Sequence, residues 1–226
     1  MSRTTTDASV IYDADCRRCP RLAGFLDQVH QKHPTYFCRP VPPFGDPHAA
    51  LLVVGLAPGM HGANASGRPF TGDACSDLLY GSLFSQGFST GPRSVHAQDD
   101  LRMINCRVTN AVKCLPPDNK PLPLEASNCR PFLHAEITAV APRVILCLGA
   151  VSHDAVVRCF DLKGLAKKRG DFAFAHGAVH TIGPIQLLDS YHPSRYNINT
   201  GRLTPAMFAE MVARARAMVD QATEPR

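Results

Sequence analysis

No apolar run in this chain of 226 residues reaches the length needed to cross a bilayer as a helix. The opening MSRTTTDASV also lacks the hydrophobic stretch of a secretory signal. Together these absences lead to the expectation of a cytoplasmic protein with no membrane association. Extreme charge is missing too: 24 Lys and Arg against 19 Asp and Glu leave +5, which permits an anionic partner without demanding one. There is no internal repeat, which sets aside solenoid architectures. No G-x-S-x-G is present, so an α/β small-molecule hydrolase built on a serine elbow has no support.

What remains is a globular composition, 45% hydrophobic and 19% charged, of a length that fits one domain over 1–226. The chain is organised around residues 55–73, GLAPGMHGANASGRPFTGD. An apolar run from Ala49 to Val54 reads as a buried strand before it, and 74–80 has helical spacing after it. A strand, a glycine-rich loop and a helix bring main chain close to a ligand in α/β proteins. Gly55, Ala57 and Gly59 give a wall of small residues, while Asn64, Phe70 and Asp73 supply an amide, a ring and a carboxylate. A second strand ends at Thr109-Asn110, a third spans 143–149, and 178–189 supplies one or two more. Helices are expected after Cys19, over roughly Phe132–Val140 with Cys129 at its entrance, around Ala155–Val157, and from Pro205 to about Ala222. Residues 40–47 read as a linker, 84–100 as an exposed polar loop, and 163–170 as a basic loop. Strands alternating with helices argue for a parallel sheet covered on both faces.

Nine cysteines require an account in a cytosolic chain, where structural disulfides are rare. Cys106 and Cys147 sit in apolar strands and read as small buried hydrophobes. Cys16 and Cys19 form a CxxC without a thioredoxin-like strand before it, and Cys114 and Cys129 follow as a wider pair. Two pairs of thiolates suit tetrahedral zinc or an iron–sulfur cluster equally well.

The order GLAPG at 55–59, HGAN at 61–64, GRPFTGD at 67–73, TNAVKCLPP at 109–117, NCRPFL at 128–133 and HPS with NTGRLT at 192–204 resembles the uracil-DNA glycosylase superfamily. With CRRCPRL at 16–22, the resemblance is to its iron–sulfur-containing B-type branch, family five, and spans most of the chain. It implies a three-layer α/β/α sandwich around a four-stranded, mainly parallel sheet, with a cluster-bearing segment at about 10–40 and a core at about 49–222. It implies a four-iron–four-sulfur cluster on Cys16, Cys19, Cys114 and Cys129, with zinc as the alternative. The implied partner is DNA carrying uracil, hypoxanthine, xanthine or other deaminated bases, acted on by a monomer in a bacterial-type cytosol beside the nucleoid.

The resemblance also assigns roles, each beside a plainer reading. Phe70 is the platform under an extruded base, or a core ring. Asn110 reads the uracil edge, or forms a turn. His192 donates to the departing base, or is a loop residue. Asp73 orients water, or caps the helix starting at Ala74. Asn64 is a weaker candidate for the water role, since GLAPG carries no acidic or amide side chain where other branches do. The loop 195–203 corresponds to the DNA-penetrating segment, with Arg202 and Leu203 as wedge candidates and Arg195, Arg68 and Lys113 as phosphate contacts. The alternative activity is a non-catalytic binder of uracil-DNA, or one that traps it covalently. The basic insertion expected for the trapping branch is absent after Met60.

Overall fold

The structure, a computed structural model, describes residues 11–221. The opening MSRTTTDASV and Ala222, the last residue expected in the final helix, lie outside the described residues. Six strands form one sheet: β1 (Phe44–Gly45), β2 (Leu51–Gly55), β3 (Cys106–Asn110), β4 (Val144–Leu148), β5 (Val179–Ile182) and β6 (Ile185–Ser190), in the order β1-β3-β2-β4-β6-β5. Neighbours among β3, β2, β4 and β6 are parallel, whereas β1 and β5 pair antiparallel on the edges. The sheet is therefore six-stranded rather than four-stranded. Both additional strands are short, and neither carries the continuous apolar run that marks a doubly covered strand. β1 lies inside the proline-rich stretch 40–47, where a linker was expected. β5 is largely exposed, so its pattern is weak.

The inner strands β2 and β4 are buried at every position. Alternate residues point to opposite faces. Leu51, Val53 and Leu146 pack with Leu79, Tyr80 and Leu83 of α3 (Ala74–Ser85) and with Phe208, Met211 and Val212 of α7 (Pro205–Gln221). Leu52, Val54, Ile145 and Cys147 pack with Leu133 and Ile137 of α4 (Pro123–Val140) and Val156 and Val157 of α5 (Ala150–Val157). Cys106 and Cys147 are both fully buried, as expected of small hydrophobes. Among the described residues, further α-helices are α1 (Pro20–Lys32), the single turn α2 (Ala63–Ser66) and the short α6 (Arg195–Asn199). No described helix is long and apolar enough to cross a membrane.

Two local expectations change. Helix α4 begins at Pro123, nine positions before the expected Phe132, so Cys129 and Pro131 lie inside it. Pro123 suits the first turn, and Glu125 Oε2 accepts from Leu122 N at 2.7 Å, closing the free end. The stretch 84–100 is not a freely exposed loop: Phe88 is fully buried, and Ser89 bridges to Met103. The basic loop 163–170 is exposed throughout, with Arg169 3.7 Å from Asp154.

Candidate functional site

The carboxyl ends of the parallel strands converge on one cavity, the place where open α/β sheets hold ligands. Its volume is about 380 Å³, within the range of small-ligand sites of about 300–1,000 Å³. Leu56, Ala57 and Gly59 line it from the loop after β2, and Asn110 enters from the end of β3. Phe70 and Asp73 come from the far end of the glycine-rich loop, and His192 and Ser194 from the turn after β6. The glycine-rich loop, the end of β3 and the turn after β6, distant in sequence, thus surround one space. The Phe70 and His192 rings stand 6.4 Å apart, inclined at 32°.

Glycine is required where the loop leaves β2. Gly55 is registered opposite Asn110, and a Cβ there would press on Phe70 Cζ and come within 2.6 Å of Asn110 Oδ1. Gly55 itself therefore lets the ring and the amide meet. Phe70 sits in the left-handed region at φ 52°, a conformation that costs a bulky residue of order 1–3 kcal/mol and that clusters at ligand sites. Gly55→Ala is expected to destabilise the protein by about 1–3 kcal/mol through overpacking. Chemical denaturation checks this, and an unchanged midpoint would show that Phe70 moves aside freely.

Asp73 does what a capping residue does and keeps one oxygen in reserve. Its Oδ1 accepts from Cys75 N at 3.0 Å and Ser76 N at 3.1 Å. Its Oδ2 lies toward Gly62 and Gly59, where added Cβ atoms would come within 2.5 and 3.4 Å. Burial pushes its carboxyl above the usual range, against the two backbone donors and the charge of Arg195. Capping and a place in the cavity coexist. Beside it, burial pushes the Cys75 thiol up to about 12, so this cavity-lining sulfur is a thiol rather than a nucleophile.

Asn110 is buried, yet its side-chain amide bonds to no group among the described residues and faces the cavity with donor and acceptor both available. Desolvation pushes the His192 imidazole down to about 4, so it is neutral near pH 7. Its main-chain carbonyl accepts from Asn197 Nδ2 at 2.8 Å, and Gly149, at φ 97°, lies beside its Cβ. The turn is thus held by its backbone, and no described residue bonds either ring nitrogen.

Other candidates fall elsewhere. Asn64 is fully buried behind the loop, with Nδ2 3.4 Å from Cys38 Sγ, and does not line the cavity. Leu203 is also fully buried, in the core with Phe208, and cannot project as a wedge. Arg202 lies over the Tyr191 ring at 4.5 Å, and Arg195 is exposed. Arg68 is spent internally on Ser94, Asp99 and the Ala97 carbonyl. Lys113 is buried against Thr109 and Glu136. Burial would raise the Glu136 carboxyl, but Lys113 and Arg107 outweigh it and hold that group below its usual range. Neither Arg68 nor Lys113 is free to meet phosphate; loop position alone did not show the acid waiting for each.

Sequence reasoning also passed over Asn119, which lines the cavity from the proline-rich loop between Cys114 and Cys129. Asp118 and Asn119 both take left-handed φ, at 53° and 55°. The one available signal was Asp-Asn after two prolines, residue types that tolerate that region. In the segment 195–203 the prominent side chain is Tyr196, 72% exposed.

Cys16, Cys19, Cys114 and Cys129 line a second pocket with Leu22, Val112 and Phe132, and none is in a disulfide. Cys129 Sγ accepts from Lys113 N at 3.3 Å and Cys19 Sγ from Asn128 Nδ2 at 3.6 Å. Convergent free thiols, apolar walls and N–H donors to sulfur are what a thiolate-held metal group needs. Ala57 packs against this pocket and also lines the cavity.

Comparison with known proteins identifies the family. The family model of the uracil DNA glycosylase superfamily matches residues 42–216. The chain is 41% identical over 207 residues to a type-5 uracil-DNA glycosylase of Pyrobaculum aerophilum, covering 90% of this chain and 88% of that one. It is 42% identical over 210 residues to the type-5 enzyme of Thermus thermophilus, covering 90% and 93%. A type-4 uracil-DNA glycosylase of Archaeoglobus fulgidus is 29% identical over 184 residues, covering 79% and 76%. With the match running through both the glycine-rich loop and the His192 turn, the chain belongs to the type-5 uracil-DNA glycosylases of that superfamily.

Proposed function

We propose that this protein, a single-domain monomer of the cytosol and nucleoid, hydrolyses the N-glycosidic bond of uracil in DNA and leaves an abasic site. The observation that carries the reading is the single cavity bounded by Phe70, Asn110, His192 and Asp73. In the three-layer α/β/α reading of the fold, that cavity opens at the sheet's carboxyl edge, where an extruded nucleotide can enter. Phe70 stacks under the base, an interaction of about 1–3 kcal/mol that hardly distinguishes bases. The Asn110 amide pairs with the O4 and N3 edge of uracil. Walls of Ala57, Gly59 and main chain contain no bulky acidic reader, which supports acceptance of hypoxanthine and xanthine as well.

Neutral His192 donates a hydrogen bond to O2 of the departing base as the bond from N1 to C1′ breaks and negative charge gathers on the ring. Asp73 faces the cation left on the sugar and orients a water toward C1′, taking its proton as the new C–O bond forms. The base is released after N1 regains a proton from solvent. No metal or nucleotide is needed for these steps. Purified protein in chelator, incubated with U·G and U·A duplexes, is expected to yield abasic sites; intact strands would refute the reading.

Tyr196 replaces Leu203 as the side chain proposed to fill the gap in the stack, because it is the exposed one. Tyr196→Ala is expected to lower uracil excision from duplex by about tenfold or more, equivalent to losing about 1–3 kcal/mol of stacking, while sparing single strands. Equal losses on both substrates would exclude a wedge. Arg195 and Arg202, both exposed, are the proposed phosphate contacts, which implies excision that weakens with salt.

The four cysteines are proposed to hold a four-iron–four-sulfur cluster. Their donor set also suits zinc, and the resemblance to the iron–sulfur branch favours iron. When bound, the cluster supplies cross-linking of α1, the 114–123 loop and α4, and takes no part in bond breaking. Cys114→Ser is expected to abolish stoichiometric iron and lower the unfolding temperature. Full iron content in that variant would remove Cys114 from the ligand set.

A further inference from the structure

Behind the strand that delivers His192 lies a group of polar side chains that the base cavity does not use. Asp189, on β6, is fully buried. His153, on α5, brings Nδ1 to 2.7 Å from Asp189 Oδ1, and His180, on β5, places Nε2 3.5 Å from Oδ2. One ligand-competent atom from each residue lies within 4.8 Å of the others. Aromatic rings enclose the group: Phe172 meets His180 at 5.7 Å and Phe174 meets His153 at 5.7 Å.

Hydrogen bonding within the cluster is incomplete. His153 Nε2 lies 2.8 Å from the Phe172 carbonyl, which only accepts, so Nε2 carries a proton. Neutral His153 would then turn a lone pair toward a carboxylate, and some cation must lie between them. A proton on Nδ1 would satisfy Oδ1 alone. Asp189 Oδ2 and His180 Nε2 are both buried without a hydrogen-bond partner among the described residues. Leaving a buried carboxylate oxygen unpaired is costly. A metal ion held by one atom of each side chain would satisfy both imidazole nitrogens and one Asp189 oxygen.

We propose that His153, His180 and Asp189 form a site for one zinc-class divalent cation, separate from the cysteine set. Imidazole and carboxylate bind such ions tetrahedrally at about 2.0–2.2 Å, which puts ligand atoms about 3.3–3.5 Å apart. Small side-chain shifts bring the present spacing into that range. The bond from His153 Nε2–H to the Phe172 carbonyl is the kind of outer contact that fixes a ligating histidine's tautomer. His180 retains 14% exposure of its side chain, which gives a fourth ligand, water, a way in. The ion would tie α5, β5 and β6 together on the strand that leads into the turn carrying His192.

The test uses tag-free, cluster-containing protein, equilibrated with zinc and then dialysed against a weak chelator. Elemental analysis is expected to find about one zinc per chain in addition to iron, with X-ray absorption showing nitrogen and oxygen at about 2.0–2.1 Å rather than sulfur at about 2.3 Å. His180→Ala, on a partly exposed edge strand, is expected to lose the zinc and keep its iron. Wild type that retains no zinc, zinc with a sulfur shell, or undiminished zinc in His180→Ala would each overturn the proposal. Asp189→Asn gives an independent check, since it removes the charge while keeping a similar shape. Zinc retained there at the wild-type level would also refute the site.

Discussion

Replacing His192 with alanine is expected to lower the single-turnover rate of uracil excision by about 100–1,000-fold, the usual cost of removing one donor aimed at developing charge. Binding of uncleaved uracil duplex should change little, because the charge that His192 meets appears only as the glycosidic bond breaks. Desolvation holds the imidazole down to about 4, so it acts as a neutral donor and does not change charge near neutrality. The excision rate should therefore show no His192 titration between about pH 6 and about pH 9. A step near the ordinary histidine value, absent in His192→Ala, would mean that the charged form does the work.

Asp73→Asn is expected to reduce excision by about 100–10,000-fold, the range for losing a positioned general base. Asparagine caps helices about as well as aspartate, so the bonds to Cys75 N and Ser76 N can persist and stability should change little. That separates the two jobs of this side chain, which Asp73→Ala would confound. The wild-type rate should fall on the acid side. The ionised carboxylate is the active form, and burial raises its pKa, so protonation begins above the ordinary aspartate range. This acid limb should vanish in Asp73→Asn. A variant as active as wild type would leave Asp73 with its cap alone.

Much of the site was legible because its motifs lie at strand ends. Phe70, Asn110 and His192 could be placed at the carboxyl edge once the apolar runs were read as parallel strands. What stayed hidden depends on partners remote in sequence. Leu203 resembles a wedge from its loop position, but α7 folds back so that it packs beside Phe208 in the core. Lys113 and Arg68 look like surface cations until Glu136 and Asp99 are found against them. Asn64 sits among the loop's polar residues, yet the single turn α2 directs it inward to Cys38. The edge strand β1 escaped because a strand of two residues carries little periodicity, whereas β5 and β6 occupy the stretch 178–189 that was read as one or two strands. Asn119 depends on two consecutive left-handed residues, a conformation that no hydrophobic pattern reports.

The most direct test is a crystal structure of Asp73→Asn bound to a duplex containing a single uracil. The expected density has the uracil out of the stack, between Phe70 and His192, with its O4 and N3 edge at Asn110. A uracil still stacked in the duplex, or lodged away from that cavity in a complex that wild type cleaves, would contradict the assignment.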